Sequence, residues 1–326
     1  MHVVITGGAG FLGQKLARKL LAGATLSGPD GQKREVTKLT LFDVAAPAPD
    51  IAQDKRVKVV TGDIGDKATV DGVVTDSAAS VFHLAAVVSG EAEADFDLGW
   101  RVNVDAMRAL LERCRALGTA PRFVFASSCA AFGGPLPARL PDDQTPTPQS
   151  SYGAQKVVGE YLVYDYTRKG FLDGRSLRLP TVTVRPGKPN KAASSFASGI
   201  IREPLAGVEA VCPVAPETRM WLTSPATVVD NLIAGHEAAP SAFGHTRSVN
   251  LPGISVTVRE MVDALARVAG ADVASRVVWK RDPAIEKIVL TWPADFEATF
   301  ARTLGMRADT DFEGIVRAYA AETGPA

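Results

Sequence analysis

Tyr152 and Lys156 stand four residues apart in Ser151-Tyr152-Gly153-Ala154-Gln155-Lys156, a spacing that puts both on one face of a helix. About 24 residues upstream of Tyr152, Ser127 and Ser128 close the apolar run Arg122-Phe123-Val124-Phe125-Ala126. These residue types suit the oxidation of a secondary alcohol, which loses a hydride and its hydroxyl proton. A tyrosinate can take that proton, but a free phenol ionises only near pH 10. A neighbouring ammonium, Lys156, together with a positively charged hydride acceptor, favours the phenolate. A serine hydroxyl can hold the substrate oxygen in line.

The hydride needs an acceptor, and the first residues offer a place for one. Thr6-Gly7-Gly8-Ala9-Gly10-Phe11-Leu12-Gly13 lies between the β-branched run His2 to Ile5 and a stretch with apolar residues at helical spacing. A glycine-rich turn there lets backbone approach a pyrophosphate, which rests on the N–H groups and positive dipole of the helix. The glycines read as Gly8-x-Gly10-x-x-Gly13 or as Gly7-x-x-Gly10-x-x-Gly13. Asp43 directly follows the run Leu39 to Phe42, where a carboxylate accepts both adenosine ribose hydroxyls and repels a 2′-phosphate. That favours NAD over NADP. Gly13 to Asp43 spans 30 positions against a usual gap of about 20. The polar insertion at 28–35 accounts for the excess and is expected to be a surface loop or hairpin tip. Asp63-Ile64, after the run Val57 to Val60, can serve the adenine amino group and cover its ring. Asp63 reads equally well as a helix N-cap. His83-Leu84-Ala85-Ala86 ends a fourth run, and its small alanines let backbone pass close to the cofactor.

Five apolar runs spaced by helix-like stretches, clearest at 102–117, predict a parallel sheet covered on both faces. The fold class is a doubly wound, Rossmann-type α/β sheet, with a smaller, irregular α/β substrate domain. The division is expected at 1–180 for the nucleotide-binding part, with a segment returning near 225–250, and 181–326 mainly for the substrate part. Between 180 and 225 the chain is dense in Pro, Gly and Ser. Helices follow at about 225–237 and 257–269, and the tail 292–321 reads as two helical pieces.

Composition narrows the function classes. The 326 residues carry 36 basic and 36 acidic side chains, without the basic excess of a nucleic-acid binder. No run of 18 apolar residues is present, so no membrane span is expected, and the first residues read as a strand, not an export signal. Cys114, Cys129 and Cys212 are odd in number and widely spaced, which fits reduced thiols in the cytoplasm. The four histidines are scattered, and no metal site is expected.

At this point the sequence resembles the extended short-chain dehydrogenase/reductase, or NAD-dependent epimerase/dehydratase, family. The resemblance is carried by Gly7, Gly10 and Gly13, Asp43, Asp63-Ile64, His83-Leu84-Ala85-Ala86, Asn103, Ser127-Ser128, Tyr152/Lys156, Arg185-Pro186 and Leu304-Gly305. It spans essentially the whole chain. It implies Tyr152 as general base, Lys156 as its partner and Ser128 as the substrate serine, with Ser127 beside it. It also implies that Gly7, Gly10, Phe11, Leu12, Gly13, Asp43, Asp63, Ile64, Leu84, Ala85, Ala86, Asn103, Tyr152, Lys156 and Pro180 hold the cofactor, with Lys156 on the nicotinamide ribose. A homodimer through helices such as 102–117 and 152–166 is the family expectation.

The family's sugar-nucleotide dehydratases place an Asp-Glu pair after the active-site serine. Here that stretch is Ser128-Cys129-Ala130-Ala131-Phe132, which argues against dehydration. Epimerases usually follow the sixth strand with an Asn-Val-Tyr-Gly-Pro-like loop. This chain instead has Arg185-Pro186-Gly187-Lys188-Pro189-Asn190-Lys191-Ala192, basic enough for a small polyhydroxy acid. That loop and Met220-Trp221-Leu222-Thr223 look similar to a subgroup that oxidises a four-carbon sugar acid at C2 with NAD. The expected substrate contacts are Ser89, Ser127, Ser128, Tyr152, Lys191 and Arg219, with Lys191 or Arg219 on the carboxylate. A nucleotide-sugar 4-epimerase with tightly held NAD is the alternative.

Overall fold

Seven parallel strands form the central sheet of the computed structural model, which describes residues 1–187 and 192–323. They are β1 (His2–Thr6), β2 (Lys38–Asp43), β3 (Val57–Thr61), β4 (Ala78–His83), β5 (Arg122–Ser128), β6 (Asp173–Leu179) and β7 (Ser248–Asn250). Their order, β7-β6-β5-β4-β1-β2-β3, reverses direction between β1 and β4, and a ligand crevice opens beyond the strand ends at such a reversal. The strands are apolar on both faces because helices cover both. On one face Val3, Ile5 and Val124 pack with α1 (Phe11–Leu21) and α5 (Pro225–Glu237). On the other, Val4, Phe123 and Phe125 meet α2 (Ala106–Leu117) and α3 (Ser151–Arg168).

The insertion before Asp43 is a two-stranded antiparallel hairpin, Thr25–Ser27 against Lys33–Glu35, turning at Gly31. It lengthens the sequence without moving β2 from its place beside β1. The helix expected over 102–117 begins instead with a π-helical turn at Arg101–Asp105. That wider turn accompanies the inward set of Asn103, whose amide bonds Val87 and Gln155.

The second lobe packs around its own core of Ile200, Ile201, Leu222, Met261, Leu265 and Ile315. A small sheet, ordered Ile254–Thr257, Arg219–Thr223, Thr181–Val182, joins it to the end of β6. Helices α4 (Ser195–Leu205), α6 (Val258–Ala269) and α7 (Phe312–Thr323) cover it. Thr257 and Glu260 cap α6 reciprocally, satisfying two otherwise unpaired backbone donors. The chain re-enters the main sheet through α5 and β7, which pairs with β6.

Candidate active site

The carboxyl ends of β1, β2, β4, β5 and β6 open on one cleft of about 650 Å³. Gly7 turns the chain out of β1 at φ +72°, and a Cβ on it would stand 2.8 Å from the Ala85 nitrogen. A Cβ on Gly13 would lie 2.1 Å from the Gly7 carbonyl. Only glycine therefore lets α1 start this close to the strands. The helix has no side-chain cap at Gly10, and Gly10, Phe11, Leu12 and Gly13 all border the cleft. Uncapped N–H groups at a helix amino end suit a pyrophosphate.

Asp43 borders the same end. Its carboxylate accepts from the Ala9 nitrogen at 2.9 Å and the Val44 nitrogen at 2.7 Å, which locks the glycine loop to β2. Each oxygen keeps a further lone pair for a ribose hydroxyl. Asp63 accepts from the Gly65 nitrogen and from Arg101 at 2.6 Å. It caps no helix; Asp66 caps Lys67–Val73. Ile64, Leu84, Ala85, Ala86 and Pro180 border the cleft as well. These residues fit a dinucleotide.

At the other end of the cleft, α3 presents Tyr152 and Lys156 beside the end of β5. Lys156 donates from Nζ to the Ala126 carbonyl at 2.9 Å. The same nitrogen lies 4.8 Å from the Phe125 ring centre and 5.4 Å from that of Tyr152. Burial and then Cys129 disfavour ionisation of the Tyr152 phenol, while Arg185 and, less strongly, the Ser128 hydroxyl that faces it favour it. Burial is the largest effect, so the phenol is pushed up to about 12. Burial also brings Lys156 down to about 7, against the pull of Glu160. The expectation that Lys156 makes Tyr152 a ready phenolate thus meets desolvation first. Ser89, at the start of a short helix, borders the cleft near this end.

Two of the expected contacts, Arg219 and Asn103, do not line the cleft, and a third, Ser127, lines it with its hydroxyl already engaged. Arg219 lies outside the cleft, 47% exposed, donating to the Ser255 carbonyl at 3.0 Å and 4.0 Å from Glu260. It opens its strand, at the end away from Thr223 and the Thr181–Val182 pairing. Ser127 borders the cleft, and its hydroxyl proton is committed to Glu160 on the α3 side at 2.5 Å. Asn103 is buried behind the cleft and grips the Val87 backbone through its amide, positioning the chain after β4 without lining the site. Lys191, with Lys188, lies outside the described residues.

Arg101, Lys156 and Arg185 are cations that border the cleft, and Arg185 is the arginine that acts on the Tyr152 phenol. Its Nε donates to the Val182 carbonyl and its Nη2 to Ser194 Oγ, both at 2.9 Å. Burial lowers its pKa, and Tyr152 works against that. Arg185 was legible only as part of Arg185-Pro186; its place just past the β6 end, at the ligand edge of the sheet, was the available signal. Cys129 and Trp292 also border the cleft. Among the described residues no cluster of His, Cys, Asp and Glu could hold a metal ion, and no helix is long and apolar enough to cross a membrane.

Residues 3–221 match the NAD dependent epimerase/dehydratase family. Over 99% of both chains the sequence is 57% identical to the D-erythronate dehydrogenase of Cupriavidus necator. It is 44% identical to the D-erythronate dehydrogenase of Haemophilus influenzae over 98% of both. Among solved structures, a nucleoside-diphosphate-sugar epimerase from Agrobacterium tumefaciens superposes with a TM-score of 0.92 at 41% identity, covering 100% of this chain and 95% of that one.

Proposed function

The chain belongs to the NAD dependent epimerase/dehydratase family, and from that premise we propose that it oxidises the C2 hydroxyl of a small sugar acid, D-erythronate, to the 2-oxo acid. The observation that carries this reading is the placing of Arg185 in the same cleft as Tyr152 and Ser128. A guanidinium beside the proton acceptor gives a carboxylate its seat within reach of an adjacent C2 hydroxyl.

NAD, when bound, supplies the acceptor for the C2 hydride. The uncapped start of α1 and the glycine loop hold its pyrophosphate, and Asp43 its adenosine ribose. Ser128 orients the substrate oxygen, Tyr152 takes its proton, and Lys156 favours the phenolate that does so. Arg185, tied back to Val182 and Ser194, fixes the acid end so that one hydroxyl faces Tyr152.

The test follows NADH at 340 nm with NAD and four- to six-carbon sugar acids. D-erythronate is expected to react, and Tyr152→Phe is expected to retain NAD binding while losing turnover by about 10²-fold or more. A second reading, a nucleotide-sugar 4-epimerase, has the Agrobacterium structure in its favour. It requires NAD to stay with the purified protein and no net NADH to form. The protein is read as a cytoplasmic homodimer paired through α2 and α3. Light scattering at twice the 34.3 kDa chain mass is the expected result.

A further inference from the structure

We propose that Glu160 is a positioning residue for this reaction: one helical turn after Lys156, it keeps the lysine ammonium charged and ties the strand end bearing Ser128 to α3. The proposal rests on the dehydrogenase reading above. Glu160 is 3% exposed, and a carboxylate at that depth persists only with partners. Arg178 donates to it through Nε at 2.9 Å and Nη2 at 2.6 Å, and Ser127 through Oγ at 2.5 Å. Arg178 is itself held by Asn250 Oδ1 at 3.2 Å and by the Phe132 ring, 4.8 Å away. Arg178 alone would satisfy the carboxylate's charge. The bond from Ser127 does something else: it fixes the residue between Ala126, whose carbonyl takes Lys156, and Ser128.

Lys156 donates to that neutral carbonyl and lies over the Phe125 ring. The titratable and charged groups around it are Tyr152 and Glu160 on α3, His83 at the end of β4, Cys129 after β5, Arg178 on β6 and Arg185 beyond it. Burial holds His83 down to about 3, hence neutral, and the Cys129 thiol up to about 11. Tyr152 is un-ionised and the arginines repel an ammonium. Glu160 is the group of this set whose charge favours Lys156⁺, and it raises the lysine against burial. A charged Lys156 in turn eases the ionisation of Tyr152.

Glu160→Gln keeps the shape and most hydrogen bonds but removes the charge. The readout is the Lys156 Cε resonance in ¹³C-lysine-labelled protein, identified with Lys156→Arg and followed against pH. Its midpoint is expected to fall by about one pH unit, and the acid limb of kcat/KM to rise by about one unit, with activity down about tenfold below the limb and recovered at alkaline pH. An unmoved Lys156 midpoint in folded Glu160→Gln overturns the proposal. So does a uniform loss of activity with the limb in place, the mark of a merely structural role. Ser127→Ala, which leaves the charge, must leave the midpoint where it was. If Glu160→Gln fails to fold, Arg178→Gln, which leaves the Glu160 charge and removes its paired cation, must raise the midpoint, and an unmoved or lowered midpoint there overturns the proposal. Should the wild type reduce no NAD with any sugar acid, the dehydrogenase reading fails, while the lysine titration still decides the role of Glu160.

Discussion

Replacing Arg185 by methionine takes a guanidinium out of the cleft while keeping an unbranched stem in its place. Two of its nitrogens are already pinned at 2.9 Å, to Val182 and Ser194, so little side-chain freedom is left to lose when a carboxylate arrives. A hydrogen bond to a charged group contributes about 1.5–3 kcal/mol. Taking about 2 kcal/mol, kcat/KM for the sugar acid should fall about thirtyfold. The assay is the initial rate of NADH formation against acid concentration at saturating NAD. The affinity for NAD and the melting temperature are measured alongside, because Val182 and Ser194 also lose a partner. Erythritol has the same carbon chain without the carboxylate, and any rate measured with it should change little between the two proteins. Arg219→Ala is the matched control. Its guanidinium is half exposed and sits 4.0 Å from Glu260, an arrangement that contributes less than about 1 kcal/mol, so kcat/KM should stay within about twofold. The reasoning is refuted if Arg185→Met stays within twofold of wild type, or if Arg219→Ala loses more.

Asp43→Asn keeps an acceptor for the glycine loop but drops the charge. The ratio of kcat/KM for NADP to that for NAD should rise about tenfold, one pair interaction of about 1.4 kcal/mol, and an unchanged ratio would separate Asp43 from cofactor choice. Gly13→Ala forces a Cβ to 2.1 Å from the Gly7 carbonyl. Neither backbone can yield without moving α1, so calorimetry should show a melting point lowered by several degrees and NAD titration a weakened complex. Burial, with Lys38 and Lys58, pushes His2 down to about 4 from its ordinary 6.5. The folded chain therefore holds it neutral where the unfolded chain takes a proton. That stability is full above pH 6.5 and is lost as pH falls towards 4, on the order of 3 kcal/mol. Thermal melts across this window should fall in wild type and flatten in His2→Gln; parallel curves would refute the assignment.

The sheet was legible because a parallel strand covered on both faces has to be apolar along its length, as Val81 to His83 and Phe123 to Ala126 are. The glycine loop was legible because close approach excludes any Cβ, a constraint that Gly7 and Gly13 display directly. Where the reading failed, side-chain direction was at stake. Arg219 and Arg185 are both cations near strand ends of the second lobe. They differ in which end of the small sheet each occupies: Arg219 begins its strand, whereas Arg185 comes three residues after Thr181–Val182, at the edge shared with β6. Pairing sets that difference, and no local pattern in either segment encodes it.

Ser127 and Ser128 make the same point at the distance of one residue. Side chains alternate along a strand, so Phe123, Phe125 and Ser127 share the face covered by α3, while Val124 and Ala126 share the other. Ser127 must therefore meet α3, where Glu160 takes its proton donor. Ser128, on the opposite parity and at the last position of β5, turns towards Tyr152 at the cleft. The alternation was readable in advance, but its phase was not, because both faces of β5 are apolar and the polar–apolar contrast that marks a half-exposed strand is missing. A buried acid one turn beyond the lysine supplies that phase. Glu160 takes a third donor from β5, only an odd-numbered residue can offer one, and the even-numbered serine, whose oxygen accepts from the Ala130 nitrogen, keeps its proton for the substrate.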